Sequence, residues 1–361
     1  MSVRILTGDC RDVLKTLPAK SVHCVATSPP YFGLRDYGVG GQIGLEESPD
    51  AFVAAIVAAF TEVRRVLRDD GTCWLNLGDS YAGSGRGIGD TKTSNRRNGA
   101  SRDMHDAMVD AGAIGRAWVK PPAGLKQKDL IGIPWRVAFA LQEAGWYLRQ
   151  DIIWSKPNPM PESVTDRCTK SHEYVFLLSK GARYFYDADA IAEPIAAASV
   201  ARLAQDVESQ RGSDRVPGKT NGAMKAVGKG NAKTFRGSGV YTGGQSFDNS
   251  SVSSVAARDS HGNAPNETGL RNARSVWNIA TQPFSEAHFA TFPPELAERC
   301  IKAGCPPGGT VLDPFGGAGT VGLVADRLQR NAILIELNPE YVAMAERRVR
   351  GDAPMFAEVS A

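Results

Sequence analysis

The chain has 361 residues, 42% of them hydrophobic and 22% charged, with 42 Lys and Arg against 39 Asp and Glu. A chain of this length can bury a sizeable core without disulfide or metal staples, and its composition is ordinary for a water-soluble globular protein. No apolar run approaches the ~20 residues of a membrane span, and a net charge of +3 does not by itself announce a nucleic-acid partner.

The opening residues, MSVRILTGDCRDV, lack a signal-peptide pattern, so a cytoplasmic location is expected. Val3–Thr7 predicts a short strand and Arg11–Leu17 a helix. Val22–Thr27 is an apolar strand that stops at a Ser-Pro-Pro turn. Asp50–Leu67 reads as a helix with Phe52, Ile56, Phe60, Val63 and Leu67 on one face, followed by a strand over Thr72–Leu77. Residues 81–126 are polar and Gly-rich, with 8 Lys and Arg against 4 Asp and Glu. A helix over Leu130–Ala144, a strand through Ile152, Ile153 and Trp154, and a strand over Glu173–Leu178 follow. Residues 199–276 form a second polar, Gly-rich stretch with 11 basic against 6 acidic residues. The remainder alternates helix (Pro294–Ala303), strand (Thr310–Leu312), helix (Thr320–Leu328), strand (Ala332–Ile335) and helix (Pro339–Val349). Short apolar strands between helices predict a mostly parallel sheet covered on both faces.

The charge is segregated. The two Gly-rich stretches together carry +9 and hold 19 of the 38 glycines, which leaves −6 for the body of the chain. Such segments are poor core builders and are expected to be partly flexible. The six cysteines are scattered and none forms CxxC, so reduced thiols are expected and no metal site. The tryptophans at 74, 135, 146 and 154 flank or lie in predicted elements and read as core.

Two motifs carry chemistry. In TVLDPFGGAGTVGLVADRL a strand ends at Asp313, a turn contains Gly316, Gly317 and Gly319, and a helix follows. Glycines there let backbone approach a ligand, and ligands of open α/β sheets sit beyond the carboxyl ends of strands. The spacing is neither GxGxxG nor a P-loop. The next strand ends at Glu336, 23 residues after Asp313, where a carboxylate can take two ribose hydroxyls; the pair points to a nucleoside cofactor. The second motif is Ser28-Pro29-Pro30-Tyr31. Its prolines stiffen the turn and hold a hydroxyl, main-chain carbonyls and an aromatic ring at a strand's carboxyl end.

Together, TSPPY at 27–31 and DPFGGAGT at 313–320 resemble the amino-group DNA methyltransferases that use S-adenosylmethionine. With TSPPY first and the glycine loop last, the order is similar to the permuted β class. LTGD at Leu6–Asp9, WLNLGDSY, SHEYVFLLSK and HFATFPPELAERCI also match. The resemblance implies an α/β fold: a doubly wound, mostly parallel, Rossmann-like methyltransferase sheet of about seven strands, carrying the basic Gly-rich stretches as insertions. Residues 1–198 and 277–361 would form the catalytic domain, with 81–126 as an insertion. Residues 199–276 would be a target-recognition, DNA-contacting region.

By the same resemblance, Asp313, Phe315, Gly316, Gly317, Gly319 and Thr320 surround the methionine part of the cofactor, and Glu336 takes the ribose hydroxyls. Asp9 meets the adenine amine, and Phe289 and Thr291 fall in a further cofactor segment. Ser28, Pro29, Pro30 and Tyr31 would act on the base. Ser28 Oγ and the Pro29 carbonyl accept the hydrogens of its exocyclic amine, and Tyr31 stacks on the base once it is flipped out of double-stranded DNA. Ser at the motif's first position favours cytosine N4, with adenine N6 the alternative. Arg96, Arg97, Lys219, Lys225, Lys229 and Lys233 are candidate phosphate contacts. A nicotinamide-dependent oxidoreductase is disfavoured by the missing GxGxxG, and a catalytically silent DNA-binding module by the two intact motifs. A cognate restriction endonuclease, and monomer or homodimer, are left open.

The charge partition makes a prediction. DNA affinity should fall steeply with salt, and deleting residues 212–244 should flatten that slope while leaving cofactor affinity intact. An unchanged slope of log affinity against log salt would take this segment off the DNA.

Overall fold

The computed structural model describes residues 1–82, 124–196, 270–282, 292–352 and 358–360. Along them run β1 (Ser2–Thr7), α1 (Cys10–Thr16), β2 (Val22–Thr27), α2 (Pro49–Val66), β3 (Leu67–Leu77) and α3 (Ile133–Glu143). Then come β4 (Tyr147–Ser155), β5 (His172–Ser179), β6 (Glu193–Pro194), β7 (Leu270–Arg271), β8 (Val276–Asn278) and α4 (Pro294–Gly304). The series closes with β9 (Thr310–Asp313), α5 (Thr320–Arg327), β10 (Asn331–Glu336), α6 (Pro339–Asp352) and β11 (Glu358–Ser360).

Local chemistry sets the helix starts. Asp9 caps α1 by accepting from the Arg11 N–H at 2.8 Å. Ser48 caps α2 through the Ala51 N–H, with Pro49 in the first turn. The free amides that open α3 are met from outside the helix: Asp79 Oδ1 accepts from Gly132 at 3.0 Å and Ile133 at 3.1 Å.

By contacts the chain divides into Met1–Ile191 with Arg274–Ala361, and Ala192–Ala273. In the second unit, β6 and β7 pair antiparallel, with Glu193 opposite Arg271 and a 3.3 Å ion pair between their side chains. The first unit holds one sheet, in the order β11-β1-β10-β9-β2-β3-β5-β4-β8. The strands from β11 to β3 are parallel to their neighbours, and β5 runs antiparallel to both β3 and β4. The expected seven strands become nine among the described residues. Each added strand, β8 and β11, is three residues long and lies at a sheet edge. Segments that short show no readable period. β3 also starts earlier than expected, because the polar Arg68-Asp69-Asp70 interrupts its apolar run.

Side chains of each strand alternate between two cores. Ile333 and Ile335 of β10 join Phe52, Ile56, Phe60 and Val63 of α2 on one face. Ala332 and Leu334 join Ile301 of α4 and Val324 of α5 on the other. Trp74, Trp146 and Trp154 are buried, as expected, while Trp135 is partly buried against the α2–α3 face. No helix of the described residues is long and apolar enough to cross a membrane.

The fit is tight where α4 crosses the sheet. A Cβ on Gly304 would lie well inside contact distance of Trp74 Nε1 and Thr72 Oγ1, and 3.0 Å from Cys24 Sγ. Gly304→Ala should therefore lower stability by about 1–3 kcal/mol in urea unfolding. Gly351→Ala, where the added carbon meets nothing within 4 Å, should change stability by less than about 1 kcal/mol. Equal effects would contradict the packing described.

Candidate active site

β9 leads to β10 on one side and β2 leads to β3 on the other, although β9 and β2 are neighbours with Cys24 opposite Val311. The loops leaving their carboxyl ends therefore diverge and open a crevice. One loop is Ser28-Pro29-Pro30-Tyr31 and the other is Pro314 to Gly319. Thr27 Oγ1 donates to Asp313 Oδ1 at 2.6 Å, and both groups are buried. One cavity is lined from both loops, by Ser28 to Tyr31 on one side and by Asp313 and Phe315 to Ala318 on the other, with Asp9, Thr320 and Glu336.

The glycine loop is held by backbone. Gly316 N–H donates to the Ile335 carbonyl at 2.8 Å, and a Cβ there would stand 3.1 Å from Leu334 Cβ. Gly317, with φ +48°, donates its N–H to Glu336 Oε2 at 2.8 Å. Glu336 Oε1 takes the Asn338 N–H at 2.8 Å. Each carboxylate oxygen keeps a further lone pair, so Glu336 can still accept two hydroxyls of a ligand. Burial raises its pKa above the usual carboxylate range. Burial likewise pushes Asp313 up to about 7, against the opposing hydrogen bonds from Thr27 and the Phe315 N–H.

Two expected cofactor residues have other surroundings. Gly319 is not part of the cavity lining; it opens α5 in the left-handed region at φ +76°, and a Cβ on it would come 2.8 Å from Ala345 Cβ of α6. Its place is close helix packing. Asp9 lines the cavity, but its carboxylate caps α1 and is paired with the Arg11 guanidinium, whose hydrogen bond lowers its pKa. Thr320 is in the lining, and its hydroxyl accepts from Arg348 at 2.9 Å. Phe289, Thr291, Arg96, Arg97, Lys219, Lys225, Lys229 and Lys233 lie outside the described residues.

At the other end of the cavity, three residues join the Ser-Pro-Pro-Tyr turn that the sequence reading did not single out. Because β5 is antiparallel, its first residues lie where β3 ends, with Tyr174 opposite Leu77. β4, antiparallel to β5, ends at the same edge. Glu173, Asn76 and Lys156 thus meet there. Tyr31 Oη donates to Glu173 Oε2 at 2.5 Å, and Lys156 forms an ion pair with the same carboxylate. Asn76 Nδ2 donates to Tyr31 Oη at 2.8 Å and Glu173 Oε2 at 2.9 Å, and reaches Ser28 Oγ at 3.3 Å. Asn76 Oδ1 is buried without a hydrogen-bond partner, an acceptor in the cavity wall. Burial, then the Glu173 charge, pushes the Tyr31 phenol well above its usual range. Its ring is backed by Gly78, where a Cβ would stand 2.5 Å from Tyr31 Cε2. Only SHEYVFLLSK and WLNLGDSY, matched as segments, carried a signal for these residues.

The cavity therefore has an acceptor-rich end, suited to a ligand bearing hydroxyl and cationic donors, and a polar turn suited to an N–H donor. Comparison with known proteins agrees with this division. A family model described as DNA methylase matches residues 22–347. Type II methyltransferase M.XycI of Xanthomonas campestris pv. cyanopsidis is 43% identical over 357 residues, covering 99% of this chain and 91% of the relative. The solved PvuII DNA methyltransferase (cytosine-N4-specific) is similar in fold, with a TM-score of 0.55 at 17% identity over 99% of this chain and 96% of that one. So is a DNA modification methylase of Thermus thermophilus, TTHA0409, complexed with S-adenosyl-L-methionine, at 0.51 and 21% over 99% and 100%.

Asp313 makes a pH prediction. Its folded pKa, about 7, lies above the ordinary 3.8, so between these values the folded state holds a proton that the unfolded state has lost. The stability this group contributes is present below the lower value and is lost as pH rises through about 7. Denaturant unfolding from about pH 5 to about pH 8 should show the wild type losing stability relative to Asp313→Asn. Parallel curves would contradict the burial described.

Proposed function

Since the chain belongs to the DNA methylase family, we propose that it transfers a methyl group from S-adenosylmethionine to the exocyclic N4 amine of a cytosine flipped out of double-stranded DNA. The observation that carries the reading is the single cavity shared by the Ser-Pro-Pro-Tyr turn and the glycine loop, whose strand ends are joined through Thr27 and Asp313. The acceptor-rich end fits the cofactor: Glu336 has lone pairs left for the ribose diol, and Asp313 faces its positive charge. The Gly316 and Gly317 backbone makes room for it, since a side chain at 316 would press on Leu334. When bound, the cofactor supplies an electrophilic sulfonium methyl.

The protein's own groups handle the amine. An exocyclic amine on a base is a poor nucleophile because its lone pair is delocalised into the ring. Ser28 Oγ and the Pro29 carbonyl accept its two hydrogens and so favour a pyramidal nitrogen with a directed lone pair. Tyr31, backed by Gly78, is the surface for stacking on the flipped base, worth about 1–3 kcal/mol. Ser28 at the head of the turn supports cytosine N4 over adenine N6. The basic stretches at 81–126 and 199–276, with Arg96, Arg97, Lys219, Lys225, Lys229 and Lys233, supply phosphate contacts in this reading, and the second provides target recognition.

Incubation with tritiated cofactor should label duplex DNA, and digestion to nucleosides should place the label on N4-methylcytosine. Label on N6-methyladenine would overturn the cytosine assignment, and unlabelled DNA the whole reading. Ser28→Ala should slow single-turnover transfer by about 10²–10⁴-fold while cofactor affinity survives. Unimpaired transfer would remove Ser28 from the chemistry.

A further inference from the structure

We propose that Glu173 fixes the direction of the hydrogen-bond chain that ends on Ser28 and receives the proton that this chain carries away from the target amine. The inference rests on the reading given under Proposed function and assigns to it a positioning residue.

The direction follows from counting donors and acceptors. Glu173 is largely buried and paired with the Lys156 ammonium, so its carboxylate is kept as an acceptor. Lys156 is held in place in turn, with Nζ 4.3 Å from the centre of the Trp154 ring. The 2.5 Å contact from Tyr31 Oη to Glu173 Oε2 therefore commits the phenol hydrogen to Glu173. Tyr31 Oη is left with lone pairs only, which receive Asn76 Nδ2 at 2.8 Å and the Ser28 hydroxyl at 3.4 Å. Ser28 thus points its hydrogen at Tyr31 and keeps lone-pair capacity for an incoming N–H. The 3.4 Å link is long, as such contacts are before a substrate fills a site and tightens them. A neutral amide at 173 could donate to Tyr31 instead, and the chain would lose its direction.

The same path accounts for the proton. As the amine nitrogen forms its bond to the methyl carbon, the donor keeps the electron pair of the bond it loses. One amine proton passes to Ser28 Oγ, the Ser28 proton to Tyr31 Oη, and the Tyr31 proton to Glu173 Oε2. Both hydroxyls are regenerated, the carboxylate becomes a carboxylic acid, and the methylated amine is left neutral. The acid then returns its proton to solvent.

The test is a mutant cycle on the full chain with duplex DNA, read by single-turnover transfer of a tritiated methyl group and by calorimetric cofactor affinity. Glu173→Gln should slow transfer by about 100-fold with cofactor affinity unchanged. In the Ser28→Ala background the same change should add less than about threefold, because it acts through Ser28. A purely structural role would add its full penalty there. Tyr31→Phe breaks the chain and leaves the Lys156–Glu173 pair in place; it should show a loss that is likewise absorbed by Ser28→Ala, and it decides the matter if Glu173→Gln does not bind cofactor. Transfer by Glu173→Gln within about threefold of wild type, or full multiplication of the Glu173 and Ser28 penalties, overturns the inference. Wild-type protein that labels no DNA overturns the functional reading beneath it, a result distinct from both.

Discussion

Thr27 Oγ1 donates to Asp313 Oδ1 at 2.6 Å in the buried seam between β2 and β9. The two residues are 286 positions apart, and each is the last residue of its strand. The loop after one strand carries the Ser-Pro-Pro-Tyr turn, and the loop after the other carries the glycines. Joining the strand ends sets the spacing between those loops, and with it the geometry of the cavity between them. The buried carboxylate has a cost, visible in the raised pKa of Asp313, which the hydrogen bonds from Thr27 and the Phe315 N–H offset in part. A carboxyl group held this way at a binding crevice suits a site completed by a cationic ligand.

The antiparallel β5 is the second constraint. A wholly parallel sheet would present only carboxyl ends at the crevice. Reversing one strand brings the first residues of β5 to that edge, and reversing again brings the last residues of β4. Glu173 and Lys156 arrive there as a pair shielded from solvent. The cavity is thus lined from the carboxyl ends of β1, β2, β3, β4, β9 and β10 and from the start of β5, and its polar network at Tyr31 depends on that topology. The acidic body of the chain and its basic stretches form a parallel division of charge, catalytic residues in one and phosphate-binding candidates in the other.

Much of this was legible in the residues. The apolar runs of β1, β2 and β10 and the amphipathic face of α2 were long enough to show their period. Ser28 to Tyr31 and Asp313 to Gly317 could be read because prolines and glycines have few uses other than fixing a turn. Gly319 was misleading for the same reason: a positive φ and close packing on Ala345 require glycine as firmly as a ligand would. Asn76, Lys156 and Glu173 were not legible, since each is an ordinary residue at the end of an ordinary strand. Their meeting is set by the pairing register, which no local pattern encodes. β8 and β11 were missed because three residues carry no period.

The central claim is that Ser28 accepts a hydrogen from the target amine inside the cavity that also holds the cofactor. A crystal structure with a non-reactive cofactor analogue and a target duplex tests it most directly. The account predicts a flipped cytosine with N4 about 3 Å from Ser28 Oγ, and the analogue's ribose on Glu336. A base that remains stacked in the duplex, or one bound with its amine turned away from Ser28, would contradict it.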